Sequence, residues 1–356
     1  EFIFAVIFAL VLFLFTRYWI SLFNIPEKEV YDNAVLYLRI ISCGLVFYLI
    51  NPIFSASLNG TGNTKTPFLI SAIGLALNMA LDPLLIIGFE LDIAGAAIAT
   101  IFSQFVVTIV FIIYFFSKNT LLSKANFLKP IAAGRPKLGL PAAIQSALFT
   151  FISMYISGMV APFGKSANAV QKIGSQIESL SWLTAGGFQT AISAFVGQNF
   201  GAKQPKRVLK GIRYALSSMI IYGIIISIVM YLIPGPIFSI FSSDKTTVVK
   251  GIDYLKILAI SQTFMIIESL VGGALNGLGK TIPQSIVSLT FNIMRIPMAY
   301  FLIRHYGLNG IWLAITISSI FKGIVIYIWF KLYIRSSEIF KNIKLSKSTF
   351  DDKIIM

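Results

Sequence analysis

The sequence predicts an all-α integral membrane protein. Hydrophobic residues make up 56% of its 356 residues and charged residues 12%. That balance lies outside the range of an ordinary soluble domain. The apolar residues gather into ten spans, about 3–22, 34–58, 68–88, 94–117, 138–162, 168–197, 214–241, 252–275, 284–303 and 309–331. Each can cross a hydrocarbon core of roughly 30 Å. The runs are too long and continuous for the alternating pattern of a membrane barrel strand. Lipid leaves no backbone edge unpaired, so a helical bundle follows.

The loops between spans set the orientation. The formal net charge is +15, which in a soluble chain would suggest nucleic acid. Its distribution indicates topology instead. With alternate loops on opposite sides, one side carries eighteen Lys and Arg, among them Lys65, Lys118, Lys203, Lys206, Arg207, Lys210 and Arg213. The other side carries five: Lys28, Lys165, Lys245, Lys250 and Arg304. The bias places the first set, and both chain ends, in the cytoplasm. Cys43 is the sole cysteine and His305 the sole histidine. An internal disulfide and a histidine-based metal or catalytic cluster are thereby excluded.

The spans contain a repeat. Tyr37-Leu-Arg-Ile40, Leu58-Asn-Gly-Thr-Gly62, Asn78 and Asp82-Pro83 recur as Tyr254-Leu-Lys-Ile257, Leu275-Asn-Gly-Leu-Gly279, Asn292 and Ile296-Pro297. Nine of the 26 positions from 37 to 62 match at an offset of 217, and the offset becomes 214 at Asn78 and Asn292. The first four spans form one copy and the last four the other. The spans 138–162 and 168–197 precede only the second copy. The expected whole is therefore twelve helices, as two pseudo-repeated lobes of six, with a first pair lacking from this chain. Its divisions are an N-lobe over 1–117, a polar linker over 118–137, a C-lobe over 138–335 and a cytoplasmic tail over 336–356. Pro130, Gly134 and Pro136 break helix in the linker.

Packing accounts for residues that the copies share. It does not account for Asp82, whose partner position holds Ile296. A carboxylate at mid-membrane depth is expensive and marks an ion or substrate pathway by default. Asn78 lies four residues earlier and shares its helix face. Pro83 has no N–H, so the carbonyl of Met79 loses its helical donor. The next span returns through a short turn, which puts Thr100 at a depth similar to Asp82 at 1.5 Å per residue. Amide, carboxylate, hydroxyl and carbonyl are hard oxygen donors, suited to H⁺ or Na⁺ rather than a soft metal. The plainer alternative is a packing bond from Asp82 to a basic helix residue.

Glu268 is a second carboxylate inside a span, and its repeat partner is Asn51. It could take a proton or a cationic substrate, or form a salt bridge to Lys322 or Arg295. Gln171, Gln176 and Glu178 make the span 168–197 unusually polar. Such a helix faces other helices or a wet cavity. These three join Glu268 as candidate substrate or proton residues, against the alternative of interhelical hydrogen bonding. Arg295 and Lys322 are expected to neutralise carboxylates. The run Ala274-Leu-Asn-Gly-Leu-Gly-Lys280-Thr281 imitates a phosphate loop but follows a membrane helix instead of a strand. It is expected to end a helix, as is its copy at Asn59-Gly-Thr-Gly62. Without an ATP site, transport would draw on an ion gradient.

Together these segments resemble the multidrug and toxic compound extrusion (MATE) family, in its prokaryotic branch of DNA-damage-inducible F-type proteins. The resemblance is carried by Leu58–Pro67, Asn78–Pro83, Ala94–Thr100, Gly174–Ser179, Ala194–Ala202 and Gly307–Trp312. It implies two six-helix lobes forming a V around a central cavity. It implies an antiporter in the plasma membrane of a prokaryotic cell, exporting bulky, often cationic compounds in exchange for H⁺ or Na⁺. In that branch an Asn, an Asp four later and a Thr on the next helix form an N-lobe cation site, here Asn78, Asp82 and Thr100. A further Asp on the lobe's first helix lies outside this chain. The Glu typical of the sodium-coupled branch is not evident, since Gln145 and Phe149 stand in the matching region. Expected partners are small organic molecules and membrane lipids, with no nucleic acid, no organic cofactor and a single copy acting alone. A lipid-linked oligosaccharide flippase of the same superfamily is the second reading. An integral membrane transferase is the third; it would need clustered Asp or a His–Asp pair near a membrane face.

Overall fold

A computed structural model describes residues 2–21, 27–117, 136–337 and 340, with backbone alone over 136–142. All regular structure among them is helical. The chain falls into two compact units, Glu1–Pro130 and Ile131–Met356.

In the first unit α1 (Phe2–Leu14) and α2 (Thr16–Ser21) replace the single expected helix over 3–22. The interruption is one residue long. The Phe15 N–H still bonds the Val11 carbonyl, and the Thr16 hydroxyl donates to the carbonyls of Leu12 and Phe13. Such back-bonding bends helices. α3 (Lys28–Gly60) packs on α1 and on α5 (Asp92–Ser117), and α4 (Lys65–Pro83) packs on α5. α4 does not run on as α-helix after Pro83. It widens into a π-helical turn over Leu84–Gly88, in keeping with the donor that proline withholds.

In the second unit α6 (Pro136–Val160) ends in a 3₁₀ turn over Ala161–Phe163, and α7 (Lys165–Gly201) returns. α8 (Pro205–Leu232), the short α9 (Pro234–Ser239), α10 (Lys245–Gly277), α11 (Thr281–Tyr306) and α12 (Leu308–Ser336) follow. α10 is the hub and touches α7, α8 and α12. Its apolar face joins Tyr254, Leu255 and Leu258 to Trp312 and Ile311 in one core cluster.

Eight described helices are long and apolar enough to cross a membrane. The protein is a multi-pass membrane protein. The two expected spans outside those eight are the interrupted α1–α2 and α7. α7 is long but polar, and its buried stripe runs from Ala167 through Glu178 and Ser181 to Asn199. That stripe faces protein, which removes the need for an apolar circumference.

The repeat is visible in the backbone. α3 ends with Gly62 at φ 88° and α10 with Gly279 at φ 71°. In the first turn the Asn63 N–H bonds the Leu58 carbonyl, and in the second the Lys280 N–H bonds the Leu275 carbonyl. Both are Schellman caps, with the left-handed position given to glycine. The phosphate-loop imitation is therefore a helix end, as expected, and its amides serve the helix. A second shared device sits where α5 and α12 begin. A Cβ on Gly95 would meet the Leu85 carbonyl carbon at 2.8 Å, and one on Gly310 would strike the backbone of Leu302. Only glycine permits that approach.

Of the expected divisions, most of the linker 118–137 and of the tail 336–356 lies outside the described residues.

Candidate functional site

The first unit places Asn78 and Asp82 on one face of α4, where the sequence predicts them. The Asn78 amide donates to Asp82 Oδ1 at 3.4 Å, and both side chains are half-buried. No basic side chain reaches Asp82 among the described residues, so the alternative of a packing ion pair is not found there. Asn78 and Thr100 share the wall of a cavity of about 440 Å³. Asp82 is one helical turn beyond that wall and touches it through Asn78. The Thr100 hydroxyl donates to its own helix, at the Ala96 carbonyl, 2.9 Å away. The trio is thus assembled through Asn78, and no direct Asp82–Thr100 bond is found. Among the described residues no three acidic, His or Cys side chains gather as for a metal ion.

The same cavity holds a bond set that sequence reasoning did not assemble. Asn51 donates to the Gln104 carbonyl at 3.0 Å and to Gln104 Oε1 at 2.8 Å, and the Thr108 hydroxyl donates to Asn51 Oδ1 at 2.8 Å. Gln104 and Thr108 are four apart on α5 and opposite a polar position of α3. That spacing was the available signal.

In the second unit Glu268 meets Lys322, Oε2 to Nζ, at 3.0 Å. The salt-bridge alternative is the one realised. Among the described residues Arg295 makes no salt bridge to a carboxylate. Its guanidinium donates to the hydroxyls of Ser318 at 3.0 Å and Ser319 at 3.4 Å, while lying within electrostatic range of Glu268 and Glu178. Glu178 accepts a 2.7 Å bond from the Tyr254 hydroxyl, and Gln171 accepts one of 3.1 Å from the Trp312 indole. A Cβ on Gly174 would enter the Tyr254 ring, so glycine there lets α7 and α10 close on this bond. Gln176 lies on the exposed face of α7. Of the four candidates, Glu268 lines a cavity, while Gln171 and Glu178 take the interhelical bonding that was their alternative and Gln176 stands apart from both. Helical periodicity of 3.6 residues turns Gln176 away from Glu178, and Gln171 and Glu178 are engaged in interhelical bonds.

The two cavities occupy one place in the repeat. The Glu268–Lys322 pair lines a second cavity of about 470 Å³, with Met265, Ser288 and Asn292. At offsets of 217, 214 and 215 these positions correspond to Asn51, Val107, Tyr48, Gly74 and Asn78 of the first cavity.

A family model described as MatE matches residues 1–84 and 141–301. The chain belongs to the MatE family. Members of this family are transporters, not enzymes, and need no organic cofactor. The chain is similar to the probable multidrug resistance protein NorM of Thermotoga maritima, 29% identical over 321 residues, covering 87% of this chain and 69% of that protein. It is 27% identical to the FAD transporter of Shewanella oneidensis, covering 76% of this chain and 62% of that one. It is also 27% identical to the multidrug export protein MepA of Staphylococcus aureus, over 68% of this chain and 55% of that protein. The chain thus spans about three-fifths of the length of these relatives. Among solved structures, a mutant of the Vibrio cholerae MATE transporter VcmN superimposes with a TM-score of 0.82 at 23% identity, over 96% of this chain and 78% of that one. A MOP superfamily transporter from Pyrococcus furiosus does so with 0.83 at 20% identity, over 93% and 76%. These likenesses establish the MATE fold.

Proposed function

We propose that this MatE protein is an antiporter that exports bulky organic compounds, often cationic, in exchange for H⁺ or Na⁺. The observation that carries the reading is the Asn78–Asp82 pair. It is a half-buried carboxylate within the span Lys65–Gly88, one turn from a cavity wall, whose described partner is a neutral amide. A carboxylate so placed is costly unless it exchanges an ion. Thr100 adds a hydroxyl to the same wall. Pro83 and the π turn follow at once, so a charge change at Asp82 acts on the weakest hydrogen-bonded stretch of α4 and alters the cavity by alternating access. The protein works as a monomer in the prokaryotic plasma membrane with both ends of this chain cytoplasmic, an orientation supported by the Lys and Arg bias. The lobes are read as 1–117 and 138–335, joined by 118–137. Glu268, paired with Lys322 on the wall of the second cavity, is the candidate substrate or proton residue of the C-lobe, and Glu178 is held by Tyr254. Export is favoured over flipping of a lipid-linked oligosaccharide, whose diphosphate would call for surplus cations. The wall of the second cavity offers one lysine already matched by one glutamate.

The test is dye efflux from inverted vesicles under an imposed pH gradient, with and without Na⁺. Asp82→Asn is expected to abolish gradient-dependent efflux, and the Na⁺ arm names the ion. Equal efflux by wild type and variant would overturn the reading.

A further inference from the structure

The second-unit cavity carries features that ion coupling at Asp82 does not use. We propose that it binds a planar heteroaromatic solute of zero net charge that presents an amide or imide edge. For this cavity it narrows the cargo of the export reading to uncharged members, and it rests on that reading only in treating the solute as cargo.

Charge is the first argument. The unit buries two carboxylates, Glu178 and Glu268, and two cations, Arg295 and Lys322, exposed by 4, 9, 7 and 6%. Their formal charges cancel. A cationic solute would have to displace Lys322 from its 3.0 Å contact with Glu268, or leave surplus positive charge in a medium that solvates it poorly. An anion meets the mirror problem at Glu268. A neutral solute meets neither.

The hydrogen-bonding inventory is the second. Asn292 is 1% exposed and lines the cavity, and its Oδ1 accepts no hydrogen bond from the described residues. Its amide donates to Ser288 at 3.4 Å. A buried carbonyl oxygen without a donor is costly, and an imide or amide N–H would satisfy it. Gln145 and Gln284 stand on the same wall with both donors and acceptors.

Shape is the third. Trp182, 41% exposed, and Phe149 meet edge to face at 6.1 Å and form an aromatic side to the cavity. A flat ring system stacks there at little conformational cost. A cavity of about 470 Å³ is within the range that holds a ligand of two to three fused rings.

The probes are lumiflavin, a neutral tricycle with an imide edge, and proflavine, a tricyclic cation at pH 7. Each is titrated by fluorescence against the purified full chain in lipid nanodiscs, without a gradient. Wild type is expected to bind lumiflavin about tenfold tighter than proflavine or better. Asn292→Leu should weaken lumiflavin about tenfold and move proflavine less than about threefold. Lys322→Gln, which uncovers Glu268, should abolish the preference by strengthening proflavine. These binding measurements need neither a gradient nor a coupling ion, so failure here is distinguishable from failure of the export reading. Equal or tighter proflavine binding by wild type, binding of neither probe, or equal losses of both in Asn292→Leu would each overturn the proposal. Should Lys322→Gln fail to fold, as thermal unfolding reports, the wild-type ratio and Asn292→Leu decide the matter.

Discussion

The two cavities share their position in the repeat and differ in the currency of their polar bonds. In the first, Asn51 binds Gln104 and Thr108 through neutral groups, and a carboxylate, Asp82, stands one turn away with an amide for company. In the second, the Asn51 position holds Glu268 and the Val107 position holds Lys322, joined at 3.0 Å, while the Asp82 position holds Ile296. One copy keeps its carboxylate available and the other matches it internally. The repeat accounts for the shared geometry, and three positions, Asn51 against Glu268, Val107 against Lys322 and Asp82 against Ile296, account for the difference.

That contrast can be broken most sharply at the ion pair. Lys322→Met strands a buried carboxylate and is expected to destabilise the protein by roughly 3–5 kcal/mol, while Glu268→Met with Lys322→Met together should be close to neutral. Thermal unfolding in detergent reads both. A double variant as unstable as the single one would show that the pair stabilises through more than mutual neutralisation.

Moving the carboxylate is the next test. Ile296 is partly buried against the core that includes Trp312. Ile296→Asp should cost about 2.5–3.5 kcal/mol, the insertion penalty for a mid-helix Asp, and should not restore efflux to Asp82→Asn. Rescue of efflux would mean that the two copies are functionally equivalent. On the neutral side, Asn51→Leu leaves the Thr108 hydroxyl without this acceptor and should cost about 1–2 kcal/mol, less than the ion-pair variant. A larger loss would reverse the ranking of the two cavities.

The smallest effect is expected at the helix starts. Asp244 caps α10 by accepting from the amides of Thr246 and Thr247, whereas its repeat partner Glu27 gives α3 no side-chain cap. Bonds from the Thr246 and Thr247 hydroxyls, then from the amides, lower the Asp244 carboxyl to about 2. The native value lies below the unfolded one, so this contribution is complete above about pH 4 and fades as pH falls toward 2. Asp244→Asn should flatten that acid-side slope slightly in unfolding curves between pH 5 and 2.

Much of the fold was legible because lipid is a strict solvent. Spans, helix ends at Gly62 and Gly279, and the placing of Asn78 above Asp82 all follow from hydropathy, turn chemistry and a 3.6-residue period. The exceptions have physical causes. The interruption at Phe15 coincides with the Thr16 hydroxyl turning onto its own helix, but Ser42, Thr100 and Ser103 do the same inside continuous helices, so the residue type does not announce the break. The π turn after Pro83 was half visible: the proline announces a lost donor, but Pro297 sits inside continuous α-helix at the same repeat position. Neighbours decide between the two outcomes. Site residues were legible as a list of costly polar groups. Their pairing was not, since Glu268 had two cations on offer and Glu178 took a tyrosine. Distances between helices choose among such partners, and no single-sequence pattern reports them.

The matched Schellman caps make the two hairpin turns exchangeable parts. Leu58–Asn63 and Leu275–Lys280 follow one hydrogen-bonding scheme, with glycine at the one left-handed position. A six-residue graft from the second turn into the first would preserve that scheme and forfeit what two side chains add, the Thr61 hydroxyl's bond to the Leu58 carbonyl and the Asn63 bonds to the Tyr114 hydroxyl and the Thr66 amide. The ancestral duplication survives here as modularity: the corner joining two membrane rods is a standard fitting, and the chemistry was written into the rods.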